Sequence, residues 1–332
     1  MRRIRTVSDI EECRQLWNQC MPAELLSDLW EVRDCFHRQY RHQPRFIVAE
    51  EHGRVVGFLP LSFNEETGQY NYFPGETWEG KTWLEQNRVI ADSRSTLDAM
   101  LATLDGPHQL RYLRSDTNWS RSDERVDEVG YLFVPENYGY DLEKYFEAFS
   151  HKTAKKLKKE LAGWDVRNVE WRIDQPEDFE VLAQMNRSRF GRLSYFHDER
   201  FLESFRALMN LLNERGWLRM VTVIVDGVPA AIDMGSLYKG MLTMLAGGTV
   251  EGFPGIAKLI NMYHMSYSCE NRLDSVDFLC GDFNWKTLFH LTPVPLYVLE
   301  GEPQALSEQD QARTHHAPPA TAWQEMRGEL NA

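Results

Sequence analysis

The chain has 332 residues, 42% of them hydrophobic, which is enough for two ordinary domains or one large one around a substantial core. A formal net charge of −13 argues against broad DNA or RNA binding, because neutralising phosphates requires a basic surface. The five cysteines (Cys13, Cys20, Cys35, Cys269 and Cys280) include no C-x-x-C pair, so a disulfide framework and a metal site are not expected; no apolar run reaches the length of a membrane span, and a cytoplasmic location is expected.

Ser8-Asp9-Ile10-Glu11 resembles a capping box, and Ile10, Cys13, Leu16 and Trp17 follow at helical spacing. A second helix is predicted from about Leu25 to Tyr40. It leads to a hairpin whose β-rich runs, 45–50 and 55–61, flank a turn at His52-Gly53. The stretch from Asn64 to Asn87 is aromatic and Gly-rich, which suits either ordinary packing or a substrate wall. A helix at 95–104 and strands at 110–113 and 131–134 complete a first unit over 1–141, with a polar surface loop over 115–128.

The second unit, 142–300, opens with a helical pattern from Leu142 to Leu161. Lys152, Lys155, Lys156 and Lys159 recur there at i, i+3, i+4 and i+7 and share one face, either a solvated face or an anion-binding one. A strand at 169–173, helices at 176–189 and 198–215, and a hairpin turning at Asp226-Gly227 repeat the order of the first unit, so the chain reads as a tandem duplication. After about Glu300 the sequence is rich in Gln, Glu, Ala and Pro without a core pattern, and 301–332 reads as a mobile tail.

Only the second unit carries an evident ligand motif. Met241 to Ala246 is an uncharged strand followed by Gly247 and Gly248, which suits a bent or bulged end. In the turn that follows, Pro254 suits the start of a helix, and Gly252 and Gly255 permit close backbone approach. Amides from about Gly255 to Lys258 can then face an anion, although an ordinary helix start would look the same. Ala246 and Gly247, with Gly252, Phe253, Gly255, Ile256, Ala257 and Lys258, are the donor-binding candidates.

The run Phe253-Pro254-Gly255-Ile256-Ala257-Lys258-Leu259, followed by Asp277-Phe278-Leu279-Cys280-Gly281-Asp282-Phe283-Asn284-Trp285-Lys286, resembles the signatures of the cellulose-biosynthesis-type acetyltransferase group. That group belongs to the GNAT acyltransferases and is related to the Fem-type peptidoglycan aminoacyltransferases. The resemblance departs at Trp285, where the group usually has Tyr, and in a turn without the usual Gln/Arg-x-x-Gly-x-Gly/Ala. It implies an α/β fold of mixed sheets in tandem GNAT form. It also implies an acyl-CoA donor, acetyl-CoA or a longer one, held by the strand, turn, helix and splayed strand. A basic helix recurs in that group at the position of Lys152, Lys155 and Lys156, which places these lysines on the path of an anionic acceptor.

Acyl transfer needs a group to accept the nucleophile's proton and donors for the developing oxyanion. Asp277, Asp282, Asp233 and His264 are the nearest candidates for the first task. Asp277 sits in a predicted strand, where burial would raise its pKa, and is otherwise a structural carboxylate. Asp282 begins the last helix and is either its cap or a catalyst, with Lys286 one turn on. The resemblance makes Asp282 and Lys286 the first choices as catalytic residues, with Asp277 behind them and Asp233 and Trp285 toward the acceptor. His264, in mid-helix, is expected to be packed or partly exposed. No G-x-S-x-G, H-E-x-x-H or Walker motif occurs.

The expected function is N-acyl transfer to an amino group of a sugar or cell-envelope precursor. The alternatives are an aminoacyl-tRNA-dependent Fem-type transfer, the one case in which tRNA is a partner, and a non-catalytic binding module in a polysaccharide-assembly complex.

Overall fold

The computed structural model describes residues 2–79, 82–115, 124–164, 167–281 and 285–303. The first half runs β1 (Arg2–Val7), α1 (Ile10–Cys20), α2 (Trp30–Tyr40), β2 (Gln43–Glu51), β3 (Arg54–Asn64), β4 (Gln69–Tyr72), β5 (Ile90–Ala91), α3 (Arg94–Leu101), β6 (His108–Leu113) and β7 (Val126–Phe133). The second runs α4 (Leu142–Glu147), α5 (His151–Ala162), β8 (Val169–Ile173), α6 (Asp178–Phe190), α7 (Glu199–Glu214), β9 (Leu218–Val225), β10 (Val228–Tyr238), β11 (Met241–Thr249), α8 (Ile256–Glu270), β12 (Ser275–Asp277), α9 (Trp285–Leu288) and β13 (Thr292–Gly301).

All strands join one sheet of order β1-β2-β3-β4-β6-β13-β7-β12-β11-β10-β9-β8, with β5 on the side of β3. Read from either end, the order is the same once β1 to β4, β6 and β7 are matched with β8 to β12 and β13. The parallel pairs match too, β4 with β6 and β11 with β12. The duplication read from the sequence is therefore a pseudo-two-fold, with its axis between β7 and β13. Each half sends its last strand across the axis: β13 lies between β6 and β7, and β7 lies between β13 and β12.

Both predicted hairpins form. His52 and Gly53, like Asp226 and Gly227, have positive φ at successive positions, as a two-residue turn matched to strand twist requires. Other expectations shift. Asp9, not Ser8, caps α1 by accepting from the Glu12 amide at 2.9 Å. The helical pattern at 142–161 breaks into α4 and α5, because Ser150 caps the second piece through the Thr153 amide. The loop expected over 115–128 is shorter at its end, since β7 starts at Val126. Strands β1, β4, β5 and β13 carried no prediction.

The core continues from one half to the other. Val32 and Phe36 of α2 and Leu84 pack with Phe201, Phe205 and Leu208 of α7 and with Leu245 of β11. On the opposite face of the sheet, Met262, Met265 and Cys269 of α8 pack with Phe133, Leu242 and Val276. Among the described residues, no helix is long and apolar enough to cross a membrane.

Candidate active site

Strands β11 and β12 pair only from Met241 opposite Ser275 to Thr243 opposite Asp277. Beyond that point β12 ends, while β11 continues to Thr249 as a partner of β10. The chains part, and a cleft of about 460 Å³ opens between Met244–Thr249 on one wall and Phe278, Leu279 and Cys280 on the other. The bulge expected near the strand's end falls at Leu245: Met234 pairs with Ala246 and Gly235 with Met244, so Leu245 has no partner in the ladder. Met244 packs toward α8, whereas Leu245 packs toward α7 on the opposite face. The cleft therefore passes through the sheet and has two sides.

On the α8 side, Ala257, Ile260 and Asn261 form the floor. Gly255, at φ +88°, is the N-cap of α8, and no side chain caps the helix. Within the turn, the Ile256 amide donates to the Phe253 carbonyl at 3.1 Å and the Lys258 amide to the Gly255 carbonyl at 3.0 Å. Among the described residues the Gly255 and Ala257 amides have no acceptor, so the open amides expected from 255 to 258 narrow to these two. A Cβ built on Gly255 meets nothing within 4 Å, so the space beside this turn is open. The two amides form the anion-accepting end of a helix dipole.

Ala246, Gly247 and Ala257 line the cleft, whereas Gly252, Phe253, Gly255, Ile256 and Lys258 do not, so Gly255 lies at the cleft's edge. Phe253 and Ile256 pack against a cluster with Trp164 and Val223. Lys258 turns outward to Glu160 of α5, at 2.5 Å. That ion pair sets α5 beside the turn. Lys152, Lys155 and Lys156 are exposed on α5 and do not line the cleft. The sequence argument set them on an acceptor's path; folding sets their helix next to the helix end that would hold a donor's phosphates.

Asp233 of β10 reaches the cleft wall, and its Oδ2 lies 3.0 Å from Nε2 of His264 on α8. A Cβ on Gly247 would sit 2.5 Å from Asp233 Oδ1, so only glycine leaves room for this carboxylate. His264 is fully buried behind it, as expected of a packed residue, and its Nδ1 has no partner among the described residues.

The third group is the wall at 278–280. Lys286 is 2% exposed, and its ammonium donates to the carbonyls of Phe278, Leu279 and Cys280 at 2.9, 2.8 and 2.7 Å. Three donors on three acceptors tie the splayed segment to α9, although burial lowers the pKa of Lys286. It faces the cleft wall but is committed to holding it. Trp285 lines the cleft and packs edge-on against Phe278 and Phe289. Asp277 is 1% exposed and outside this cleft; burial raises its pKa, while it accepts from the Leu279 amide at 2.8 Å and from Gln86. Asp282 lies outside the described residues. The Cys280 thiol is raised far above its usual range by burial and by Glu85, which removes it as a thiolate nucleophile.

The opposite side of the cleft is built by residues the sequence did not single out. Trp83 and Glu85 come from the first half; Asn186, Arg189 and Tyr195 come from α6 and the turn after it. Trp83 is held by Phe36 and Phe205 at ring separations of 5.8 and 4.6 Å. The aromatic composition of 64–87 was the available signal for this wall. Glu85 stands in no motif, and only folding across the two halves brings it here. Its Oε2 accepts from the Cys280 amide at 2.9 Å. Although the residue is only half-buried, desolvation pushes its carboxyl up to about 8, with Asp277 adding to the rise and Lys286 opposing it.

Comparison with known proteins agrees with this geometry. Residues 150–287 match the acetyltransferase (GNAT) domain family. No curated protein sequence matches the chain. Its structure is similar to that of FemX, with a TM-score of 0.55 and 11% identity over 93% of this chain and 99% of the other. It is also similar to a tandem GNAT protein from the clavulanic acid biosynthesis pathway, with a TM-score of 0.50 and 11% identity over 92% and 100%. L-PGS from Bacillus licheniformis gives a TM-score of 0.50 and 10% identity over 85% and 94%. The fold is a mixed α/β tandem GNAT fold, and the matched domain is that of a GNAT acyltransferase.

Proposed function

We propose that the chain is an N-acyltransferase that moves an acyl group from acyl-CoA, acetyl-CoA first among them, to an amino group of a sugar or cell-envelope precursor. The observation that carries the reading is the junction of two features: strands β11 and β12 part beside a helix end whose Gly255 and Ala257 amides have no acceptor among the described residues and whose turn lies beside open space. A pyrophosphate suits those amides, and a pantetheine arm suits two strand edges that no longer pair with each other. The thioester carbonyl would then lie near the bulge at Leu245, where backbone donors can meet a developing oxyanion.

A recess of about 30 Å³ continues from the cleft among Leu26, Val32, Leu84, Leu208 and Leu245. It holds roughly one or two water-sized groups, which favours a short acyl chain. With Cys280 unsuited to forming an acyl-enzyme, transfer is direct. The acceptor approaches from the side of Trp83, Tyr195 and Arg189, opposite α8.

Isothermal titration with free CoA, acetyl-CoA and longer acyl-CoAs tests the donor. Micromolar binding of acetyl-CoA with weaker binding of long chains is expected. A protein that binds none of them refutes the reading. Aminoacyl-tRNA as donor is the second reading, for which the fold likeness to FemX speaks; the net charge of −13 weighs against it.

A further inference from the structure

We infer that Glu85, carried by the segment with which the first half closes its own cleft, is the base that takes the acceptor's proton in the cleft of the second half. This rests on the acyltransferase reading above.

The pseudo-two-fold shows where the halves diverge. In the second half, residues 250–255 join β11 to α8 and form the open anion turn. In the first half the equivalent connection, from β4 to α3, is the much longer 73–93. At its end Ser93 caps α3, accepting from the Thr96 amide, so this helix end is occupied by its own side chain. The middle of the segment fills the gap that would be the first half's cleft. The Asn87 amide donates to the Tyr112 carbonyl, and the Arg114 amide to the Asn87 carbonyl, both at 2.9 Å, so the segment lies along β6. Buried Arg33 donates to Asn87 Oδ1 at 2.7 Å. Buried Glu76 accepts from the Leu84 amide at 2.8 Å and from the Thr82 hydroxyl at 2.5 Å. Only about 20 Å³ is left there, lined by Gln69, Asn71 and Arg111. Among the described residues, the first half's equivalent of the donor cleft is therefore filled.

The same segment delivers Trp83 and Glu85 into the other half's cleft, on the face away from α8. A donor laid along α8 leaves that face to the acceptor, and Glu85 is the carboxylate on it. Asp233, the other carboxylate of the cleft, pairs with His264 of α8 and belongs to the donor side. Glu85 is fixed by the amide of Cys280, a residue of the wall that Lys286 holds. The groups around it are Asp277 of β12, Lys286 of α9, the Cys280 thiol and Tyr112 of β6, with Glu128 of β7 and Arg114 acting on these neighbours. Poised at about 8, its carboxylate is a stronger base than an ordinary glutamate yet is available near neutral pH.

In the step, the amine lone pair forms the N–C bond to the thioester carbonyl, and an N–H proton passes to Glu85. The C–S bond then breaks, and the coenzyme leaves as a thiolate that takes a proton from water. Glu85 returns its own proton to solvent.

The test uses the full chain, acetyl-CoA, and hydroxylamine as a small probe nucleophile that is uncharged across the neutral range. Free thiol is measured from pH 6 to 9.5. The parent rate should rise through about pH 8. Glu85→Gln should lower it by roughly 10²-fold and abolish that rise, while Glu85→Asp keeps part of both. Calorimetry should show CoA affinity unchanged in Glu85→Gln, which also shows that the variant folds. A parent-like rate and profile in Glu85→Gln overturn the inference and leave the donor reading standing. So does loss of the rise in Asp233→Asn alone, which would make Asp233 the base. A parent that binds CoA but releases no thiol also overturns the inference, since a base lining the cleft would serve so small a nucleophile. A parent that binds no CoA overturns the acyltransferase reading itself.

Discussion

Replacing Lys286 with Met keeps most of the side-chain volume and removes the ammonium that holds the wall at 278–280. Three carbonyls lose their donor: that of Phe278, which is buried, and those of Leu279 and Cys280, which are half-buried and can recruit water. An unsatisfied buried carbonyl costs about 1–3 kcal/mol, and the two half-buried ones cost less. Removing a desolvated ammonium offsets part of this, since burial already lowers the pKa of Lys286. A net loss of about 2–4 kcal/mol is expected. In a cooperative unfolding transition of a chain this long, that corresponds to a Tm fall of roughly 3–6 °C. Differential scanning calorimetry measures it, and titration with acetyl-CoA should show weaker binding in the same variant, because the freed segment is one wall of the cleft. Lys286→Arg should not rescue it, as a planar guanidinium cannot place three donors on three carbonyls set around a point. A Tm within about 1 °C of the parent, with activity lost, would refute the argument and make Lys286 a participant in the chemistry.

Gly255→Val forces a β-branched side chain into the left-handed region and into the open space beside the turn; CoA affinity should fall by 10-fold or more, roughly 1.4 kcal/mol or above, and equal affinity would remove the turn from the site. Replacing Lys152, Lys155 and Lys156 together with Gln should raise the Kd for free CoA several-fold at low salt, with the difference fading as salt rises; an unchanged Kd in low-salt calorimetry would assign that face to solvent. Stability should also depend on pH through Glu85. Its folded pKa lies above its ordinary value, so the folded state holds the proton longer, and the free energy of unfolding falls as pH rises from near 4.5 to about 8. Tm measured across that window should decline less in Glu85→Gln than in the parent.

Local chemistry settled much of the framework before any folding was considered. Asp226-Gly227 between β-rich runs requires a tight hairpin. Gly247 and Gly248 mark a strand end, and Gly252, Pro254 and Gly255 mark an uncapped helix start, where Gly252 and Gly255 hold backbone angles that few residues tolerate. The order of elements on either side of residue 142 showed the duplication. Contacts between residues far apart in sequence decided the rest. Burial pattern alone did not reveal that β7 and β13 cross between halves, since a strand flanked by partners from either half has the same composition. Lys286 was a first-choice catalytic candidate from its place one turn after Asp282, and the fold shows it also bracing the wall, because β12 stops at Asp277 and leaves three carbonyls that accept from it. Glu85 was one acidic residue in an aromatic stretch. It becomes a candidate base only because 73–93 closes one cleft and enters another, where the amide of Cys280, 195 residues away in the chain, fixes its carboxylate and desolvation raises its pKa.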